Sequence, residues 1–257
     1  MTNMRTASLW TDVGTVLWKE WREVFNPHKG GAGRSGWLSM ALNVAVFGIF
    51  LPLQSGRAWV ESPQMLVYWA WMPLFLVSGV VADAFAGERE RHTLETLLAS
   101  RLSDTAILLG KLAAAISYGC LLTFAGLAVG AVTVSVVHGH GRFLFYPLLV
   151  VVGGVALCLL GAGLAASAGV LVSLRAPTVR QAAQTLSLGT MALIFVPIFG
   201  LQALPAGIKA AVAARLATLD ARAALLLVLL LLAALDGALL AAARLRFQRA
   251  KLILDGG

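Results

Sequence analysis

Five stretches of the chain carry no Asp, Glu, Lys or Arg: Ser35–Gly56, Ser62–Ala82, Leu112–Gly141, Phe143–Leu174 and Gln181–Ile208. Each is long enough to cross a bilayer, which takes about 20 apolar residues in a helix. A sixth, Ala223–Ala243, is interrupted only by Asp236. Hydrocarbon offers backbone amides no hydrogen-bond partner, so a spanning segment must be a helix or part of a closed barrel. Barrel strands alternate polar and apolar residues over about 10 positions, and these runs do not. The expected fold is therefore all-α and polytopic, with six transmembrane helices. Leu112–Gly141 and Phe143–Leu174 exceed one straight crossing, so each is expected to tilt, protrude or include a loop.

Composition narrows the function classes. The chain is 59% hydrophobic and 12% charged, against about 25% charged in soluble domains. That excludes a soluble globular enzyme, a disordered chain and a nucleic-acid-binding domain, despite a net charge of +8. The basic residues flank the apolar runs and report topology instead. With the amino terminus inside, 15 Lys and Arg fall on the cytoplasmic side and 5 outside, which places both termini in the cytoplasm. The expected organisation is a cytoplasmic segment over 1–34, a six-helix membrane domain over 35–243 with a charged loop at about 87–105, and a basic tail over 244–257. The first 35 residues mix tryptophans with charges and lack a short apolar core before a cleavage site, so no secretory signal is expected.

Ahead of the first span, Leu9–Phe25 repeats apolar residues at helical steps: Trp10, Val13, Leu17, Trp21 and Val24. Asp12, Lys19 and Glu23 fall on the other side. This pattern predicts an amphipathic helix in the membrane interface, ended by Asn26-Pro27 and the glycines at 30, 31 and 33. Between spans two and three lies the densest charge cluster, Gly87-Glu88-Arg89-Glu90-Arg91-His92-Thr93-Leu94-Glu95. Leu94, Leu97 and Leu98 share one helical face, and Glu88, Arg91 and Glu95 stand at spacings that allow pairing with one another. A solvated hairpin and a docking helix fit this pattern equally. After Pro205 and Gly207, the apolar positions Ile208, Val212, Leu216 and Leu219 predict a short amphipathic helix on the outer side.

These features together resemble the ABC-2 type permease family, the membrane subunits of ABC exporters. The likeness rests on Trp18-Lys19-Glu20-Trp21-Arg22-Glu23 before the first span, and on Glu88-Arg89-Glu90-Arg91 followed by Thr93-Leu94-Glu95, Leu97-Leu98 and Gly110-Lys111. It rests also on six spans with an outer helical element before the last. The chain departs at His92, where many relatives carry glycine. The resemblance implies an ABC-2 exporter fold and a coupling role toward a separate ATPase for Glu88, Arg89, Glu90, Arg91, Thr93, Leu94, Glu95 and Leu98. It implies a connecting helix at Trp18, Lys19, Glu20, Trp21, Arg22 and Glu23. It further implies two ATPase copies that carry the ATP and Mg, and a second permease copy or paralogue.

The chain lacks the phosphate-binding loop GxxxxGK[ST]: Gly110-Lys111 is preceded five positions earlier by Thr105 and followed by Leu112. It is thus expected to bind no cofactor and to be no enzyme by itself. His138 and His140 lack the further ligands that zinc needs. Cys120 and Cys158 lie within apolar runs and read as helix packing. Polar residues inside the spans, Asn43, Gln54, Gln184, Thr185 and Ser187, are candidates for a substrate path, and the scarcity of charge there favours a lipophilic or amphipathic cargo. Asp236 is expected near the inner end of its span, snorkelling or paired with Arg244. The alternative function, an ion- or proton-driven carrier or channel, needs ionisable groups within the spans, and Asp236 is the one on offer. The Gly126/Gly130 and Gly161/Ala165/Gly169 spacings read as close helix packing, and Pro52, Pro73 and Pro197 as kinks.

Overall fold

A computed structural model describes residues 2–25, 32–93, 99–217 and 220–247, and every regular element among them is helical. Helix α1 runs Thr2–Phe25, starting before the expected Leu9. Helix α2 (Ala32–Ala45), a π-turn (Val46–Phe50) and α3 (Leu51–Ser55) follow end to end, so Gly33 belongs to a helix and not to the expected turn. After α4 (Ala58–Glu61) comes α5 (Leu66–Ala82), prolonged by a second π-turn (Asp83–Gly87) and α6 (Glu88–Glu90). Then come α7 (Asp104–His138), α8 (Leu148–Ser173), α9 (Val179–Ala203), α10 (Ala206–Ala217) and α11 (Ala221–Arg246).

Among the described residues, five helices are long and apolar enough to cross a membrane: Leu66–Glu90, Asp104–His138, Leu148–Ser173, Val179–Ala203 and Arg222–Arg246. The first expected span differs from these. Its apolar part is the shorter Met40–Ser55, preceded by the polar start of α2. The two over-long runs take different routes. Helix α7 is one uninterrupted rod of 35 residues, about 50 Å at 1.5 Å per residue, so it overhangs a hydrocarbon core of about 30 Å. The other run spends residues 143–147 on an extended lead-in, and its helix starts at Leu148, after Pro147. The short helix expected after Pro205 is α10.

Proline accounts for the first π-turn. Pro52 has no N–H, and its ring displaces the carbonyl of the preceding turn. The Gly48 carbonyl so freed accepts the Thr133 hydroxyl of α7 at 2.7 Å, and Gly48 itself is buried against Val129. Pro73 and Pro197 lie inside α5 and α9 without ending either helix.

The core is the three-helix contact of α5, α7 and α8. Small residues set its spacing. A Cβ on Gly161 would lie 2.7 Å from the Ala70 carbonyl, and one on Gly169 would lie 2.6 Å from Val81. Gly154 is covered by the Trp69 ring, which stands edge-on to Tyr146 at 5.4 Å. The spacings read as packing in the sequence are packing contacts. Helix α9 packs on α5 and α8 through Ala182 and Leu186, and α11 packs on α8 through residues such as Leu225, Leu239 and Ala243, while much of the apolar surface of both helices is exposed.

We expect Gly161→Ala to destabilise the bundle by about 1–3 kcal/mol, because backbone cannot yield to the new methyl as a side chain would. Gly79→Ala meets nothing within 4 Å and is expected to be neutral or stabilising by up to about 1 kcal/mol. Thermal unfolding of the two variants in one detergent checks the contrast.

Candidate functional site

The four charges Glu88-Arg89-Glu90-Arg91 end the Leu66–Glu90 rod, and each binds a different part of the same chain. Glu88 Oε1 accepts from Lys111 Nζ of α7 at 2.9 Å and from Lys19 Nζ of α1 at 3.0 Å. The Arg89 guanidinium donates to the Leu174 carbonyl at 2.6 Å and to that of Ala176 at 3.4 Å, capping the end of α8. Glu90 Oε2 accepts from the Val179 amide at 3.1 Å, the first amide of α9. Arg91 donates to Asp83 Oδ1 at 2.6 Å. Gly87 makes room for that last pair, since a Cβ there would lie 2.6 Å from Asp83 Oδ1. The expected pairing of Glu88 with Arg91 is replaced by these inward bonds, because α1 and α7 bring lysines within reach of Glu88. Leu94, Glu95, Leu97 and Leu98 lie outside the described residues.

The rod closes with a Schellman turn. The Thr93 amide donates to the Glu88 carbonyl at 2.9 Å and the His92 amide to the Arg89 carbonyl at 3.0 Å. His92 occupies the left-handed position at φ 56°, so the turn forms with a non-glycine residue at the position that favours glycine. The Thr93 hydroxyl also donates to the Glu88 carbonyl, at 3.2 Å.

Behind Glu88 stands a buried ion cluster. Lys111 is 2% exposed, and an ammonium at such a site costs several kcal/mol unless it is paired and fully hydrogen-bonded. All three of its protons are engaged: by Glu20 Oε1 at 2.8 Å, by Glu88 Oε1 at 2.9 Å and by the Ala84 carbonyl at 2.9 Å. That carbonyl belongs to the second π-turn, whose distorted ladder is open to outside donors. The Phe85 ring lies 5.6 Å from the ammonium. Burial pushes the half-exposed Lys19 amine down, but Glu88, Glu20 and Glu23 outweigh it and hold the amine above its ordinary value.

Helix α1 lies along α7 accordingly. Val13, Val16 and Glu20 face inward, and Trp21 Nε1 donates to Ser117 Oγ at 2.9 Å. The expected apolar stripe is kept at Val13, Leu17, Trp21 and Val24, which are buried or half-buried, and departs at Trp10, which is exposed; Trp18, Arg22 and Glu23 point outward. Close contact of α1 with Gly110 selects the valine face for the interior.

The polar span residues do not gather into one site within the chain. Asn43 is on α2 and Gln54 on α3, which pack on α7, whereas Gln184, Thr185 and Ser187 are on α9, which packs on α5 and α8. Gln184 and Ser187 line an open groove of about 480 Å³ with Arg180, Ala183 and Leu188. The Thr185 hydroxyl is bonded to the Gln181 carbonyl of its own helix. Asp236 is not paired with Arg244. Its carboxylate abuts Gly163 of α8, and its Oδ1 is buried without a hydrogen-bond partner. Cys120 and Cys158 are free thiols 3.6 Å apart. Among the described residues no group of three or more His, Cys, Asp and Glu is placed to hold a metal. His140 Nδ1 and the His138 carbonyl instead meet Arg57.

Sequence reasoning missed the roles of Lys111, Asp83 and the 174–179 connection. Lys111 read there as part of the Gly110-Lys111 pair shared with the family and as a flanking charge, not as the centre of an ion cluster. Nothing in its neighbourhood along the chain indicates two carboxylates arriving from elsewhere.

Long apolar helices around a charged knot at one end define a multi-pass membrane protein. A family model described as ABC-2 family transporter protein matches residues 76–232, and the chain belongs to that family. The match covers the end of α5, the charge knot, and α7 through much of α11. No curated protein matches the chain.

Arg89→Ala removes a charged cap from the end of α8 and is expected to cost about 1.5–3 kcal/mol. Hydrogen exchange should then rise at residues 174–182. Arg91→Ala breaks a half-exposed pair and should cost less than about 1 kcal/mol. His92→Gly relieves the left-handed strain and should add about 0.5–1 kcal/mol, seen as a higher melting temperature.

Proposed function

We propose that this chain is the permease subunit of an ATP-driven ABC exporter in a bacterial cytoplasmic membrane, with both termini in the cytoplasm. A separate ATPase, two copies per complex, binds the ATP and Mg and docks at the loop that follows Arg91. Leu94, Glu95 and Leu98 meet the ATPase, while Glu88, Arg89, Glu90, Arg91 and Thr93 pass its movement on. The observation that carries this reading is the fan of bonds from four consecutive charges to α1 and α7, the end of α8, the start of α9 and Asp83. A push on the loop therefore reaches most of the bundle at once.

The first crossing in this reading is the rod α2–α3, which makes six spans. A second permease copy or a paralogue covers part of α9, whose face carries Arg180, Gln184 and Ser187 beside exposed apolar residues. Lipid has no hydrogen bonds to offer such a polar stripe. The cargo is lipophilic or amphipathic, of a drug, lipid or glycan type, and passes along Asn43 and Gln54 of one element and Gln184, Thr185 and Ser187 of another. Trp10 and Trp18, both exposed, rest α1 in the inner interface, where tryptophan is favoured.

The test is capture of a co-expressed ABC ATPase subunit from the same genome by the affinity-tagged permease. Leu94→Asp with Leu98→Asp should lower capture at least tenfold, and Gly79→Ala should leave it unchanged. Transport that continues in vesicles lacking the ATPase, and collapses with an uncoupler, would instead establish an ion-driven carrier.

A further inference from the structure

Glu88 opens the charged loop, yet its side chain is turned away from any outside partner. It is 6% exposed, its Oε1 is shared by two lysines, and its Oε2 is buried without a hydrogen-bond partner. The group that holds it there is Lys111, two helical turns into α7. Lys111 joins α7 to two segments distant in sequence: α1 through Glu20, and the end of the Leu66–Glu90 rod through Glu88 of α6 and the Ala84 carbonyl of the π-turn. With three protons and three acceptors, its geometry is fully specified.

Two neighbouring contacts make this a fastening rather than a point of touch. A Cβ on Gly110 would lie 2.5 Å from Val16 Cβ, so the absence of a side chain there lets α1 lie directly on α7 beside Lys111. One face of α7 further along, Ser117 accepts the Trp21 indole N–H at 2.9 Å. Helix α1 is thus held at two levels of α7 and, through the same ammonium, to the end of the Leu66–Glu90 rod.

We propose that Lys111 is a positioning residue for energy coupling, locking α1, the π-turn with α6, and the start of α7 into one lever. Movement imposed on the loop then carries α1 with it, and α1 is no independent float on the membrane surface. The coupling part rests on the reading that an ATPase docks at the loop, whereas the lock is a property of the chain alone. Glu20 and Glu88 belong to the lock, and their loss acts on α1 before it acts on docking.

The experiment has two arms. In the first, the full chain carries spin labels at Gly14→Cys on α1 and Leu121→Cys on α7, with Cys120 and Cys158 replaced by alanine. Both label sites are exposed, and Gly14 has open space around it. Pulsed dipolar spectroscopy in lipid vesicles should give one narrow distance. Lys111→Met should broaden it at least twofold, and Lys111→Arg, which keeps the charge, should narrow it again. Should Lys111→Met fail to insert, Glu20→Gln removes a single leg of the lock and should also broaden the distribution. In the second arm, Lys111→Met should capture the ATPase within about twofold of the parent chain while lowering the ATP hydrolysis of the complex at least fivefold, with partial recovery in Lys111→Arg. An unchanged distance distribution in Lys111→Met or Glu20→Gln overturns the lock. Equal losses in Lys111→Met and Lys111→Arg overturn the positioning role. A parent chain that captures no ATPase overturns the docking reading, and the distances alone then decide the lock.

Discussion

An ammonium group buried among helices has to be answered by carboxylates, and the arrangement of one end of this protein follows from that requirement. Lys111 is drawn into the interior by its place on α7 next to a long apolar run. The desolvation of its charge is offset only if acceptors come to it. Glu20 arrives from α1 and Glu88 from the end of the α5 rod, and the π-turn supplies a carbonyl. The position of α1, the register of the second π-turn and the inward aim of Glu88 all serve this one ion. Such a pair adds little net stability compared with apolar packing, but removing one partner is severe, so its value lies in fixing geometry.

The same end of the bundle shows why four charges in a row are useful where helices converge. Successive residues of a helix point about 100° apart. A run of alternating charges at a helix end therefore reaches in several directions, and at a junction each direction holds a different neighbour. Arg89 meets the unpaired carbonyls at the end of α8, and Glu90 meets the unpaired amide at the start of α9. These are the groups that helix termini leave without partners and that favour such charges. Arg89 and Glu90 thus match in sign the helix end and the helix beginning they meet, while Glu88 and Arg91 pair with side chains of opposite charge.

Elsewhere the molecule is held by shape. Glycines on α7 and α8 let α5 approach to backbone distance, and a proline in α3 leaves a carbonyl that a threonine of α7 takes up. Helices α9 and α11 pack on the flank of this core and leave apolar surface outward, as helices do that meet lipid or another copy. Asp236 is the exception on that outer layer. Its carboxylate is wedged against Gly163 and meets no basic partner.

The helical class, the long apolar segments after the first, the amphipathic character of α1, the presence of α10 and the membership in the ABC-2 family were legible in the residues themselves. Apolar run length and charge placement are local quantities, and the bilayer acts on them one segment at a time. The partners of the charges were not legible. Glu88 and Arg91 stand at a spacing that permits a bond with each other, yet each binds elsewhere, and Trp10 is exposed while Val13 of the same stripe is buried against α7. Polar residues expected to share a path are divided between α2–α3 and α9. Such choices depend on which helices pack side by side, and a short-range ion pair or a glycine contact is decided by distances that only the assembled bundle sets.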